Sequence, residues 1–212
     1  MSHVVLLGDS IFDNKAYVGD GPDVIYQLQR QLPAGWKATL LAVDGSVTTS
    51  VSRQLGKLPA DADYLIVSAG GNDALNSIDI LTRSAQSTAD ALIKLANVSD
   101  QFEYDYLAML REILSSGLPT AACTIYYPRF PEATLQKLAV TALTVFNDCI
   151  TRAVFAAGLP LLDLRLICND EDDYANPIEP SVQGGEKISA AITRLLAEHD
   201  FKRQRTEVFF KR

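Results

Sequence analysis

Residues 3–14 read HVVLLGDSIFDN, and the fold turns on how this stretch is parsed. His3–Leu7 is a continuous apolar run of strand length that stops at Gly8, the pattern of a strand buried on both faces. The same grammar recurs downstream. Ala38–Val43 (ATLLAV) ends at Asp44-Gly45, Tyr64–Ala69 (YLIVSA) at Gly70-Gly71, and Thr120–Tyr127 (TAACTIYY) at Pro128, while Leu159–Ile167 contains a fifth strand. Helical patterns fill the gaps: Asp23–Leu32 stopped by Pro33, Asp90–Ala96, Tyr104–Ser115 broken at Gly117-Leu118-Pro119, Ala133–Ala157 ending at Gly158, and Glu186–His199 after Gly184-Gly185. Short strands alternating with helices predict an α/β protein, with a five-stranded parallel sheet covered on both faces and right-handed crossovers. Residues 1–200 read as one domain, and 201–212 as a basic tail.

Composition narrows the class. With 212 residues, of which 48% are hydrophobic, the chain is long enough for one well-buried domain and too apolar to be disordered. No apolar run in the sequence approaches the roughly 20 residues of a membrane span. A net charge of −7 repels a phosphate backbone, so no nucleic-acid partner is expected. The tail, FKRQRTEVFFKR, opposes that charge with five basic residues against Glu207. It reads as a solvated terminus or a short strand, Thr206–Phe210, and an exchanged edge strand would make it a route to a homo-oligomer. Cys123, Cys149 and Cys168 are odd in number and form no C-x-x-C, so reduced buried thiols are expected. MSHVVLLGDS also lacks the marks of a secretion signal, and a cytoplasmic location is the expectation. Neither a metal nor a cofactor is expected; the acidic run Asp170–Asp173 lacks a calcium-loop pattern and reads as a solvated loop.

In an open parallel sheet, ligands bind beyond the carboxyl ends of the strands. There stand Gly8-Asp9-Ser10, then Asp44-Gly45-Ser46, then Gly70-Gly71-Asn72-Asp73. Ser10 can act as a nucleophile. Its own N–H, the Gly45 N–H and the Asn72 amide are three donors that could surround a developing oxyanion. Ile11, Phe12, Tyr126, Tyr127 and Ile178 sit where an acyl or alcohol group would rest.

These three blocks, in this order and each after a strand, resemble the SGNH hydrolase superfamily, the GDSL esterases and lipases. The resemblance covers nearly the whole chain and implies a flavodoxin-like αβα sandwich, a nucleophile at Ser10, and an oxyanion hole from Ser10, Gly45 and Asn72. It also implies esters as small-molecule substrates. The family's fourth block, D-x-x-H, supplies an orienting acid and a general base. Here the matching residues are Asn176-Pro177-Ile178-Glu179.

No histidine can take that role. His3 opens the first strand, roughly 17 Å from its far end, and His199 closes the last helix, roughly 20 Å beyond its start; both are expected at the surface. If the chain is an esterase, Glu179 is the base, with the Asn176 amide, Asp172 or Asp173 orienting it. Glutamate is the weaker base by roughly 3 kcal/mol, a deficit that partial burial beside Ile178 and Pro180 could reduce. Activity should then fall only as pH drops through the glutamate's pKa, with no limb near neutrality. The alternative is a binding or regulatory protein that keeps the pocket without the chemistry, where Glu179 pairs with an arginine or caps the helix at Gly184-Gly185.

Overall fold

The computed structural model describes residues 2–210. One six-stranded sheet, all of it parallel, runs in the order β2-β1-β3-β4-β5-β8, where β1 is His3–Gly8, β2 Lys37–Leu40, β3 Tyr64–Ser68, β4 Thr120–Cys123, β5 Leu161–Leu162 and β8 Val208–Phe209. A two-stranded antiparallel hairpin, β6 (Tyr174–Asn176) and β7 (Glu179–Pro180), stands apart from it. The architecture is the expected three-layer αβα sandwich, flavodoxin-like, with one strand more than the five anticipated. That strand comes from the tail: Val208 and Phe209 pair with Leu161 and Leu162 of their own chain. Lys211 and Arg212, counted among the tail's basic groups, lie outside the described residues.

The period of two along each strand sorts side chains into two cores. Val4, Leu6, Ile66, Ala121, Cys123 and Leu162 face one layer, built from α1 (Val24–Gln31), α6 (Leu164–Ile167) and α7 (Val182–Glu198). Val5, Leu7, Leu65, Val67, Ala122 and Leu161 face the other, built from α2 (Val51–Leu55), α4 (Thr88–Ser115) and α5 (Ala133–Ala156). Between them lies α3 (Gly71–Asn76), just past the end of β3.

Helix boundaries follow side-chain caps. Asp23 accepts the Tyr26 N–H at 3.0 Å to start α1, and Ser181 accepts the Gly184 N–H at 3.1 Å to start α7. The second cap corrects the expectation that Gly184-Gly185 precede the helix, since both lie in its first turn. A Cβ on Gly184 would come within 2.2 Å of the Asp173 carbonyl oxygen, so the helix can approach the hairpin this closely only with glycine there. The two helices expected between residues 90 and 115 are one, α4, because polar Asn97 and Asp100 fall on its exposed side while Ser99 meets Cys149 of α5. By length and composition α5 could cross a membrane, contrary to the sequence expectation. Here it covers the sheet, burying Leu143, Phe146, Cys149, Ile150, Ala153 and Val154.

Both histidines depart from expectation. His3 is 3% exposed, its ring between Asp61 (3.0 Å) and Thr39 (2.7 Å), and His199 is 7% exposed, its Nδ1 2.6 Å from Glu207. Each could be buried because polar partners from neighbouring segments satisfy the ring. At the amino ends of the strands Trp36 stacks on Tyr64 at 5.7 Å, and Tyr64 meets Phe201 of the tail at 5.3 Å.

Candidate active site

The nucleophile loop is fixed by a close approach of two strands. Gly8 has φ +123°, and a Cβ there would fall 1.7 Å from the Ser68 carbonyl oxygen. Only glycine allows β1 and β3 to end so near each other, and the chain then turns, with Asp9 N–H donating to Ser68 O at 3.1 Å. Phe12 and Asp13 N–H close the turn onto the Asp9 carbonyl at 3.2 and 3.1 Å. Ser10 rides on it, nearly buried, and among the described residues its N–H has no protein acceptor. Asn14, fully buried, donates to Pro180 O at 3.1 Å and accepts the Val24 N–H at 2.9 Å, tying this loop to the strand that carries Glu179.

The second and third blocks are bound to the first. Asp13 accepts the Asp44 N–H at 2.9 Å, and Val43 N–H donates to Gly8 O at 3.0 Å. Gln54, unremarked in the sequence, clamps Gly8 by accepting its N–H and donating to its carbonyl, both at 2.8 Å. Gly45 lies on the exposed turn between these contacts, its N–H also without a protein acceptor among the described residues. The Asn72 amide donates to Ser46 O at 3.0 Å, which orients it and leaves its second N–H available. Asp73 holds the same loop, accepting from the Thr48 N–H (3.0 Å) and hydroxyl (2.8 Å).

Glu179 opens β7 and is 5% exposed. Burial pushes its pKa up to about 7; the neighbouring Ser10 side chain pulls the other way, and the charge of Asp44 adds to the rise. No cation is among these causes. Its Oε2 is one of two buried side-chain oxygens among the described residues that lack any partner. Beside it Asp9, fully buried, is pushed to about 8 by burial, against the Ile11 N–H bond that lowers it, with the charges of Glu179 and Asp73 contributing to the rise.

None of the three groups expected to orient Glu179 does so. Asn176 is exposed and uses its Oδ1 to accept the Ile178 and Glu179 N–H groups at 3.0 and 3.1 Å, shaping the hairpin turn rather than holding the carboxylate. Asp173, fully buried, serves Lys187 (2.8 Å), Gln183 (3.2 Å) and the Asp170 N–H (3.0 Å), so the acidic run is not the purely solvated loop expected. Asp172 is exposed. Position comes instead from the backbone: Tyr126 donates its hydroxyl to Ile178 O at 2.6 Å, and Arg129 N–H donates to Pro177 O at 2.7 Å.

Ser10, Asn72 and Glu179 border one cavity of about 100 Å³. Of the five residues expected to contact substrate, Ile11, Tyr126 and Ile178 line it. Phe12 does not, being wholly buried in the core beneath, nor does Tyr127, which packs against the second core. The sequence reading missed the apolar walls, which include Leu75, Leu95, Leu143 and Phe146. They lie on α3, α4 and α5, and an apolar residue on a helix is the same signal that marks any core-facing residue.

Comparison with known proteins follows the same outline. A lipase, Lip_vut3, from a goat rumen metagenome superposes with a TM-score of 0.69 at 20% identity, covering 90% of this chain and 95% of that one. A lipase/acylhydrolase from Enterococcus faecalis gives 0.67 at 20% identity over 96% and 100%. The aryl esterase of M. smegmatis gives 0.65 at 11% identity over 93% and 99%. At such identities these likenesses speak to the fold alone. No curated protein sequence matches the chain. The family model named GDSL-like Lipase/Acylhydrolase matches residues 6–186, from the middle of β1 through the hairpin into α7, and the chain therefore belongs to the GDSL-like lipase/acylhydrolase family.

Proposed function

We propose that the protein is a serine esterase acting on small carboxylic esters through an acyl-enzyme on Ser10, with Glu179 in the place of the usual histidine base. The observation that carries this is a buried glutamate that borders the same cavity as Ser10, with no cation beside it among the described residues and its pKa lifted to about 7. A carboxylate there accepts the Ser10 proton as Oγ attacks the ester carbonyl. The Ser10 and Gly45 N–H groups and the free Asn72 N–H take up the oxyanion, and Glu179 returns its proton to the leaving alkoxide. Water then attacks the acyl-enzyme, giving its proton to Glu179, which passes it back to Ser10. A lift from 4.5 to about 7 offsets about 3 kcal/mol of glutamate's deficit as a base, at roughly 1.4 kcal/mol per unit. Family membership and the lipases and esterases of the same fold support the reaction class. The three buried free thiols favour a reducing compartment, the cytoplasm.

Labelling with an organophosphonate ester, read by mass spectrometry, tests the nucleophile. Wild type should carry the adduct on Ser10, and Ser10→Ala should carry none. An unreactive wild type would mark the chain as a binding protein that keeps the pocket alone.

A further inference from the structure

Resting on the esterase reading, we propose that the site selects short acyl chains of about four to six carbons and that Phe146 sets that limit. The cavity beside Ser10 is walled by helices on three sides. From α5 it takes Ala139, Ala142, Leu143 and Phe146, one helical face on which two alanines leave the space that larger residues would fill. Leu75 of α3 and Leu95 of α4 line it as well. An engineered apolar cavity of about 150 Å³ holds benzene, so this one, of about 100 Å³, holds about four carbons before a chain must reach its mouth.

Beyond Phe146 lies a second cleft, about 420 Å³, lined with polar Asp73, Asn76, Gln101 and Asp105. The two spaces have only Phe146 and Ser77 in common. Phe146 is 4% exposed, its ring 4.8 Å from that of Phe102, which in turn lies where a side chain on Gly70 would have to go. The aromatic pair is thus a packed partition. On one side an apolar chain is sheltered, and on the other it would meet carboxylates and amides.

The test is a series of p-nitrophenyl esters from acetate through butyrate, hexanoate and octanoate to dodecanoate. In wild type, kcat/KM should rise about fourfold per methylene as far as butyrate or hexanoate and fall at least about tenfold by dodecanoate. Phe146→Ala should move the optimum to octanoate or beyond. Phe146→Leu, which keeps aliphatic packing should the alanine variant fail to fold, should move it the same way by less. Ala142→Phe should shift it towards acetate. A wild-type optimum at dodecanoate, or an optimum unmoved in all three variants, overturns the assignment. Binding of the matching methyl esters to Ser10→Ala, measured by calorimetry, separates the two readings. The same chain-length order in binding without hydrolysis by wild type upholds the cavity assignment and removes the esterase. Hydrolysis with no chain-length order does the reverse.

Discussion

Asp173 and Glu179 flank one hairpin, both carboxylates are buried, and their surroundings are opposite. Asp173 meets Lys187, Gln183 and a backbone N–H, every one of them a donor. Glu179 borders the Ser10 cavity, leaves Oε2 unpartnered and, among the described residues, has no cation at hand. A buried charge that is fully paired serves the fold, since removing it strands its partners. A buried carboxylate left unpaired costs stability and gains basicity, and that basicity is what the proposed mechanism asks of Glu179.

The largest test of this contrast is on turnover. Glu179→Gln should lower kcat by about 10⁴ or more while the fold persists, because the amide cannot accept the Ser10 proton. Turnover surviving in that variant would make Glu179 a second structural carboxylate. The converse substitution is Asp173→Asn, which takes from Lys187 its buried carboxylate and leaves it the exposed Asp170. It should cost about 2–4 kcal/mol of stability, a fall of roughly 5–10 °C in Tm by calorimetry, with the ester reaction retained.

The pH response separates them further. A folded-state pKa of about 7 for Glu179 means that kcat/KM falls as pH drops through about 7, where a histidine enzyme would also fall. The low limb expected from an ordinary glutamate is therefore corrected by burial. Temperature distinguishes the two bases: a carboxylate limb stays nearly fixed on warming, and an imidazole limb moves to lower pH. Stability runs the other way. Glu179 and Asp9 both have folded pKa values raised above their unfolded ones, from 4.5 to about 7 and from 3.8 to about 8. Between pH 4 and 8 the folded state thus binds more protons, so their contribution is complete below about 4 and is lost as pH rises through about 8. Asp9→Asn should raise Tm at pH 9 and change it little at pH 4, measured by thermal melts. A Tm gain equal at both values would place Asp9 outside this titration. The smallest effect belongs to Asn176→Ala, about 1 kcal/mol of stability and a few-fold in kcat/KM, since Asn176 shapes only the turn.

How much of this the sequence carried differs by region. The central strands were legible because a continuous apolar run such as Val4–Leu7 admits few other readings, and the residues that follow each strand stood out as chemistry-bearing. Strand β8 was harder, being two residues in a charged tail whose strand character depends on β5 being there to pair with. His3 and His199 were read as surface residues because their partners Asp61, Thr39 and Glu207 come from other segments. Glu179 could be named from its place in the fourth block. Its pKa could not, because desolvation is a property of everything packed around it.

The stack of Trp36 on Tyr64, with Phe201 beyond, has a practical side. The chain's one tryptophan sits at the amino ends of the strands, across the sheet from Ser10, and within one aromatic neighbour of the tail. Its fluorescence is a native reporter for detachment of the segment that supplies β8. Substrate entering the cavity should leave that emission unchanged, so one spectrometer trace can tell a loosened tail from an occupied site.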